Sequence, residues 1–429
     1  MKIIGYRSSD FKNEIKRIIE RGDIDISEIE SSVKKIIQDV RERGDEAVIE
    51  YTKRFDGISL KASELSIKKK EIKEAYSKTT KKNIESLQFA AERIKEFHKK
   101  QKFESWSYEK DGIMLGQIVR PLSCVGMYVP GGKASYPSTV LMNALPAKSA
   151  AVERLIMTVP TPQGEIDPNV LVAADIAGID EIYRIGGAQA IAALAFGTKT
   201  IPKVDKIVGP GNIYVAVAKK LVFGYVDIDM IAGPSEILII ADETAEPAFI
   251  AADMLSQAEH DERASAILVT PSKKTAEKVN NEIEKQLSEL KRKEIARKSI
   301  DDYGIIVVVE DLNEAVKIAN EIAPEHLELS VENPDDILGL IKNAGAVFLG
   351  HYTPEAVGDY IAGPSHTLPT GGTARFFSPL SVEDFFKRMS VISYPKDELV
   401  AAAGDIERIA EMEGLEAHAR SVRIRVKKI

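Results

Sequence analysis

From about residue 112 to about residue 350, short apolar runs alternate with stretches of helical period, and nothing else in the chain restricts its fold so much. The apolar runs fall at 124–128, 155–159, 181–185, 206–208, 237–241, 266–270, 305–309 and 346–349. Between them, 188–196, 214–223, 247–259, 273–290 and 312–322 carry helical patterns. Such alternation builds βαβ units, because two parallel strands need a crossover long enough to hold a helix. The strands are too many for one compact sheet, so the pattern predicts an α/β protein with two parallel-sheet domains. Glycine-rich turns at 130–132, 186–187, 209–211 and 233–235 each follow a candidate strand. That predicts turns at the carboxyl ends of strands, where α/β folds bind ligands. None spells GxGxxG, so the usual dinucleotide fingerprint is missing.

The flanks differ. The first hundred residues are helical in pattern, with Phe11, Ile15, Ile18 and Ile19, then Val33, Ile36, Ile37 and Val40, at helical spacing. Residues 70–100 read as one long amphipathic helix with Lys and Glu outward. From about Ser381 the tail returns to short helices. The 429 residues are 44% hydrophobic and 29% charged, which excludes wholesale disorder. No apolar run reaches membrane-spanning length, and the N-terminus lacks the apolar core of a signal peptide. The net charge of −8 speaks against nucleic acid, and the single cysteine, Cys124, excludes an intrachain disulfide framework. A cytoplasmic enzyme is the expectation.

Of six histidines, five follow residue 250. Gln257 and His260 lie three apart, so on a helix they share a face and can present two donors to one metal ion. Glu325 and His326 are adjacent, after Pro324 and at the start of a strand. Histidine titrates near neutrality and suits proton transfer. In a regular strand the two would face opposite ways, so one site holds both only if the strand starts after them. Residues 357–369 read as a loop carrying Asp359 and His366. Glu413 and His418 sit on a short C-terminal helix. Gln257, His260, Asp359 and His418 make a nitrogen-and-oxygen donor set that suits Zn²⁺, and also Mn²⁺ or Co²⁺.

Long motifs then stand together: Tyr128-Val-Pro-Gly-Gly132, Pro137-Ser-Thr-Val-Leu-Met142, Gly186-Gly-Ala-Gln-Ala190, Gly209-Pro-Gly-Asn212, Ala232-Gly-Pro-Ser-Glu236, Ala323-Pro-Glu-His326 and Gly414-Leu-Glu-Ala-His418. With the Gln257–His260 segment, they resemble the histidinol dehydrogenase family over nearly the whole chain from about residue 25. The resemblance implies oxidation of L-histidinol to L-histidine through bound histidinaldehyde, with two NAD⁺, in the last steps of histidine biosynthesis. It implies one zinc per subunit on Gln257, His260, Asp359 and His418, and a catalytic pair Glu325 and His326. Ser235, His366 and Glu413 would contact substrate, together with His326 and the zinc set; Tyr128, Gln189 and Asn212 would contact NAD. His326 would be the base for the alcohol and Glu325 would activate water on the aldehyde.

The family fold implies two incomplete Rossmann-like domains, a helical N-terminal region and a small helical tail. The implied layout is an accessory dimerisation region at 1–25 and 379–404, a large domain at 26–127 and 237–378, and an inserted NAD-side domain at 128–236. A tail at 405–429 would reach the partner subunit of a homodimer. One rival is a relative acting on another alcohol, which would lose part of the recognition set that His366, Glu413 and His418 retain. The other is a zinc hydrolase using Glu325 or Glu259 as base, against which Tyr128, Gln189 and Asn212 weigh.

Overall fold

The computed structural model describes residues 1–22, 26–131 and 135–427. Gly132 of the first motif, Lys133 and Ala134, the expected boundary at 25 and the last two residues of the tail lie outside the described residues. In chain order the strands are β1 (Lys2–Gly5), β2 (Trp106–Lys110), β3 (Ile113–Pro121), β4 (Cys124–Tyr128), β5 (Arg154–Thr158), β6 (Glu181–Tyr183), β7 (Lys206–Val208), β8 (Asp227–Ile228), β9 (Glu236–Ala241), β10 (Ser265–Thr270), β11 (Gly304–Val308), β12 (His326–Ser330), β13 (Ala346–Leu349) and β14 (Phe386–Ser393).

The chain divides into two compact units, 1–101 with 123–385, and 102–122 with 386–429. The first unit holds two parallel sheets. One runs β6-β5-β4-β7-β8 and the other β1-β11-β10-β9-β12-β13. Apart from the edge strand β1, the two have the same winding: it starts at a central strand, β4 or β9, runs outward to one side, then to the other. Each therefore has a switch point at its central strand.

Apolar periodicity explains the layers. β9 is buried along its whole length, with Leu238 and Ile240 in the core on one face and Ile237, Ile239 and Ala241 in the core on the other. Strands covered on both faces read as continuous apolar runs, which is why these were legible. Phe11, Ile15 and Ile18 of the helix Phe11–Ile19 share the first of those cores, and helices Pro247–Ala258 and Lys273–Leu287 the second. Val33, Ile36 and Val40 of the helix Ser27–Arg43 share a core with Ile156, Tyr183 and Ile207 of the five-stranded sheet.

Two local expectations need correction. Residues 70–100 are not one helix but two, Lys69–Lys78 and Lys81–His98. Thr80 is extended and its hydroxyl accepts from Asn83 N–H, so a cap signal overrides the continuous pattern. Residues 357–369 are not wholly a loop, since Asp359 lies on the helix Glu355–Tyr360. The second unit is a three-stranded antiparallel sheet, β14-β3-β2, with helices Lys396–Met412 and Glu416–Val426. Its strands β2, β3 and β14 are exposed or half-buried and did not stand out as apolar runs. No described helix is long and apolar enough to cross a membrane.

A candidate catalytic and metal centre

Strand β12 begins at His326 itself rather than after it, and Glu325 immediately precedes it. The geometric conflict is resolved at the neighbouring strand. Glu325 Oε2 accepts from the backbone N–H of Glu236 at 3.0 Å, and His326 Nδ1 meets the carbonyl of the same Glu236 at 3.2 Å. One residue thus holds both groups, and Glu325 Oε2 lies 3.8 Å from His326 Nδ1. A carbonyl only accepts, so Nδ1 carries the proton and a neutral ring has its lone pair on Nε2. His326 Nε2 is buried with no hydrogen-bond partner among the described residues, 3.6 Å from Asp359 Oδ1. Burial pushes Glu325 up to about 7, with nearby Glu236 and Asp359 adding to the rise and His326 opposing it. For His326 burial acts downward, but the carboxylates of Glu355, Glu325 and Asp359 outweigh it and raise the imidazole.

The metal-type donors gather beside this pair. His260, Glu355 and Asp359 each offer one ligand atom, all within 4.8 Å of one another. Gln257 is buried at the end of the helix Pro247–Ala258, and His260 lies just past that end, its N–H donating to the Gln257 carbonyl at 3.2 Å. Assigned from its surroundings, the Gln257 amide donates through nitrogen to both Glu355 oxygens at 2.6 Å. Glu355 was missing from the sequence reading. It lies four residues before Asp359 on one short helix, a spacing that shares a face, but the sequence reading puts Asp359 in a loop that begins at 357, two residues past Glu355. Burial pushes Glu355 up to about 8, and its backbone N–H donates to buried Glu328 at 2.8 Å. These imidazole and carboxylate donors fit a divalent ion of zinc type.

One cleft of about 740 Å³ in the first unit is lined by Ser235, His260, Glu325 and His366, and by Asn212. His366 Nδ1 donates to the Asp359 carbonyl at 2.9 Å and its Nε2 lies 3.3 Å from Thr139 Oγ1. The Gly233–Ser235 turn corrects another expectation. It joins β8 to β9, so for the six-stranded sheet it sits at the amino end. The cleft lies between the carboxyl edge of the five-stranded sheet, at Gly209–Asn212, and the amino edge of the six-stranded sheet, at Ser235 and Glu325.

Tyr128, Gln189 and Asn212 line a second cavity of about 670 Å³ at the switch point of the five-stranded sheet. The Tyr128 hydroxyl accepts from Gly187 N–H at 3.1 Å. Gln189 is 1% exposed, and neither atom of its amide has a partner among the described residues. A buried amide left open beside a cavity fits a polar ligand such as a dinucleotide. Asn212 accepts from Tyr214 and Val215 N–H and so caps the helix Ile213–Val222. Gly209 has φ +108°, and a Cβ there would strike the Tyr128 carbonyl. The buried pair Lys219–Asp229 clamps this turn: Lys219 Nζ donates to the Gly209 carbonyl at 3.0 Å, and Asp229 accepts from its N–H at 2.7 Å. Glu413 ends the helix Lys396–Met412 and His418 lies on Glu416–Val426, both exposed residues of the second unit.

Two parallel sheets of one winding, with an acid–base pair beside a donor cluster, define an α/β enzyme. The chain belongs to the histidinol dehydrogenase family, whose family model matches residues 19–426. It is 57% identical over 429 residues to a histidinol dehydrogenase of Geobacter metallireducens, covering 100% of this chain and 98% of that one. A histidinol dehydrogenase of Caldanaerobacter subterraneus is 58% identical over 421 residues, 97% of this chain and 98% of that one. The crystal structure of histidinol dehydrogenase from Elizabethkingia anophelis superimposes with a TM-score of 0.92 at 38% identity, covering 99% of this chain and 98% of that one. The chain is accordingly an NAD-dependent oxidoreductase of histidine biosynthesis, acting on histidinol.

Proposed function

We propose that the enzyme carries out both oxidations of L-histidinol, through histidinaldehyde to L-histidine, at one site on Glu325 and His326. The observation that carries this is the meeting of two differently tuned bases with the donors His260, Glu355 and Asp359. Gln257, His260, Asp359 and His418 would hold one zinc per subunit, which would supply a Lewis-acidic anchor for the substrate's nitrogen donors. Tyr128, Gln189 and Asn212 would hold NAD⁺, which would supply the hydride acceptor for both oxidations. His326, with its Nδ1–H held by the Glu236 carbonyl, has Nε2 to take the alcohol proton. Glu325, titrating near neutrality, takes a proton from the water that adds to the aldehyde. Ser235 and His366 position the substrate from the cleft walls.

The protein acts in the cytoplasm as a homodimer, with residues 128–236 as the NAD side of each subunit. The tail from 405 reaches the partner, so that Glu413 and His418 complete the other chain's site. A mixed dimer of E325Q and H418A subunits then regains partial activity, and no recovery would place the site within one chain. The direct test counts NADH per histidinol with chelator and with added zinc. Two NADH, lost on chelation and restored by zinc, support the reading; one NADH with accumulating aldehyde overturns the assigned role of Glu325.

A further inference from the structure

Glu236 closes the Ala232–Glu236 motif, is 2% exposed, and is used by none of the steps above. Its backbone N–H and carbonyl hold Glu325 and His326, so a displacement of Glu236 displaces both. Its side chain is fixed from two directions. Oε2 accepts from Arg21 at 2.8 Å and Oε1 accepts from Gly371 N–H at 2.9 Å. Arg21 follows the helix Phe11–Ile19 and its side chain is 1% exposed. It also donates to the carbonyls of Pro234 at 3.1 Å, Arg263 at 3.0 Å and Ile18 at 2.8 Å. The planar fork of a guanidinium spans such a set of acceptors; a lysine ammonium does not. A buried ion pair is weak as a source of stability, since desolvation offsets its attraction. What this pair does geometrically is fix the turn that presents Ser235 and then Glu236.

We propose that Arg21 and Glu236 are positioning residues that set the placement of the catalytic pair through the Glu236 backbone. This rests on the assignment of Glu325 and His326 as that pair. A shift of about 1 Å in reacting groups costs on the order of 100-fold in rate, so small slippage is enough.

The test uses the full-length, zinc-loaded enzyme. R21M and E236Q are each expected to lose about 10- to 100-fold in kcat, with zinc content and the KM for NAD⁺ unchanged. R21K, which keeps the charge, recovers part of the loss. The apolar pair R21M/E236L is expected to regain the thermal midpoint but not kcat, which a purely structural role would restore together. Recovery of kcat with the midpoint overturns the proposal, as does kcat within about twofold of wild type for R21M or E236Q. H326A and E325Q run alongside. If they stay active, the catalytic assignment itself fails; if they are inactive while R21M and E236Q turn over normally, only the positioning role fails.

Discussion

The two parallel sheets of the first unit have the same winding and opposite uses of their ends. In the five-stranded sheet the carboxyl edge is open: Tyr128, Gly187 and Asn212 frame the candidate NAD cavity there, at the switch point. That follows the usual rule for α/β folds. In the six-stranded sheet the proposed catalytic pair stands at the amino edge, where β9 starts with Glu236 and β12 with His326. Its carboxyl edge is closed by its own side chains. His351 sits between Ser330 Oγ at 2.8 Å and Thr244 Oγ1 at 3.2 Å, and Asp242 accepts from Glu332 N–H at 2.9 Å. Winding alone therefore does not place the candidate sites, which differ in the strand end they use. Each working edge is also braced by one buried ion pair, Lys219–Asp229 at the Gly209 turn and Arg21–Glu236 at the Pro234–Glu236 turn.

The contrast breaks most sharply at His326. H326A should lower kcat by about 10²- to 10⁴-fold with either histidinol or histidinaldehyde as substrate, the usual worth of a general base. Turnover near wild type would move the chemistry away from the amino edge. Next in size, E325Q should impair aldehyde oxidation far more than alcohol oxidation. Glu325 must be ionised to act as a base, so wild-type aldehyde oxidation should rise with pH through about 7 and E325Q should lose that limb. An equal loss in both half-reactions would refute the division of labour.

At the carboxyl edge of the other sheet the effects should be smaller and of another kind. Q189L should raise the KM for NAD⁺ by about 10-fold, one hydrogen bond's worth, and leave zinc content intact. An unchanged KM, measured by initial rates, would detach that cavity from NAD. The smallest effect belongs to the closed edge. S330A should cost about 1 kcal/mol in denaturant unfolding and leave kcat within about twofold. A large loss of kcat there would mean the carboxyl edge of the six-stranded sheet also works.

Most strands of both parallel sheets are readable because double-sided burial writes continuous apolar runs, as in 237–241, whereas β8, two residues long, is too short to show one. The N-terminal strand β1 escaped notice because only Ile4 of its four residues is buried. The antiparallel strands of the second unit escaped for a like reason. In the candidate site, residue types and spacings single out Gln257, His260, Glu325, His326, Asp359 and His366. Glu355 and Arg21 were invisible, because their partners lie far along the chain: Gln257 for the first, Glu236 for the second.

The sequence by itself determined the parallel α/β class, the strands of its buried layers and the chemical character of the site, since periodicity and residue type are local properties. Tertiary structure alone decided which ends of the strands carry the candidate sites, that the backbone of Glu236 holds both Glu325 and His326, and that a guanidinium from the first turns of the chain braces it. These depend on the register of β9 against β12, where Ile237 pairs with His326, and on groups brought together from more than 200 residues apart. Register and long-range ion pairing are properties of packing, and no local pattern encodes them.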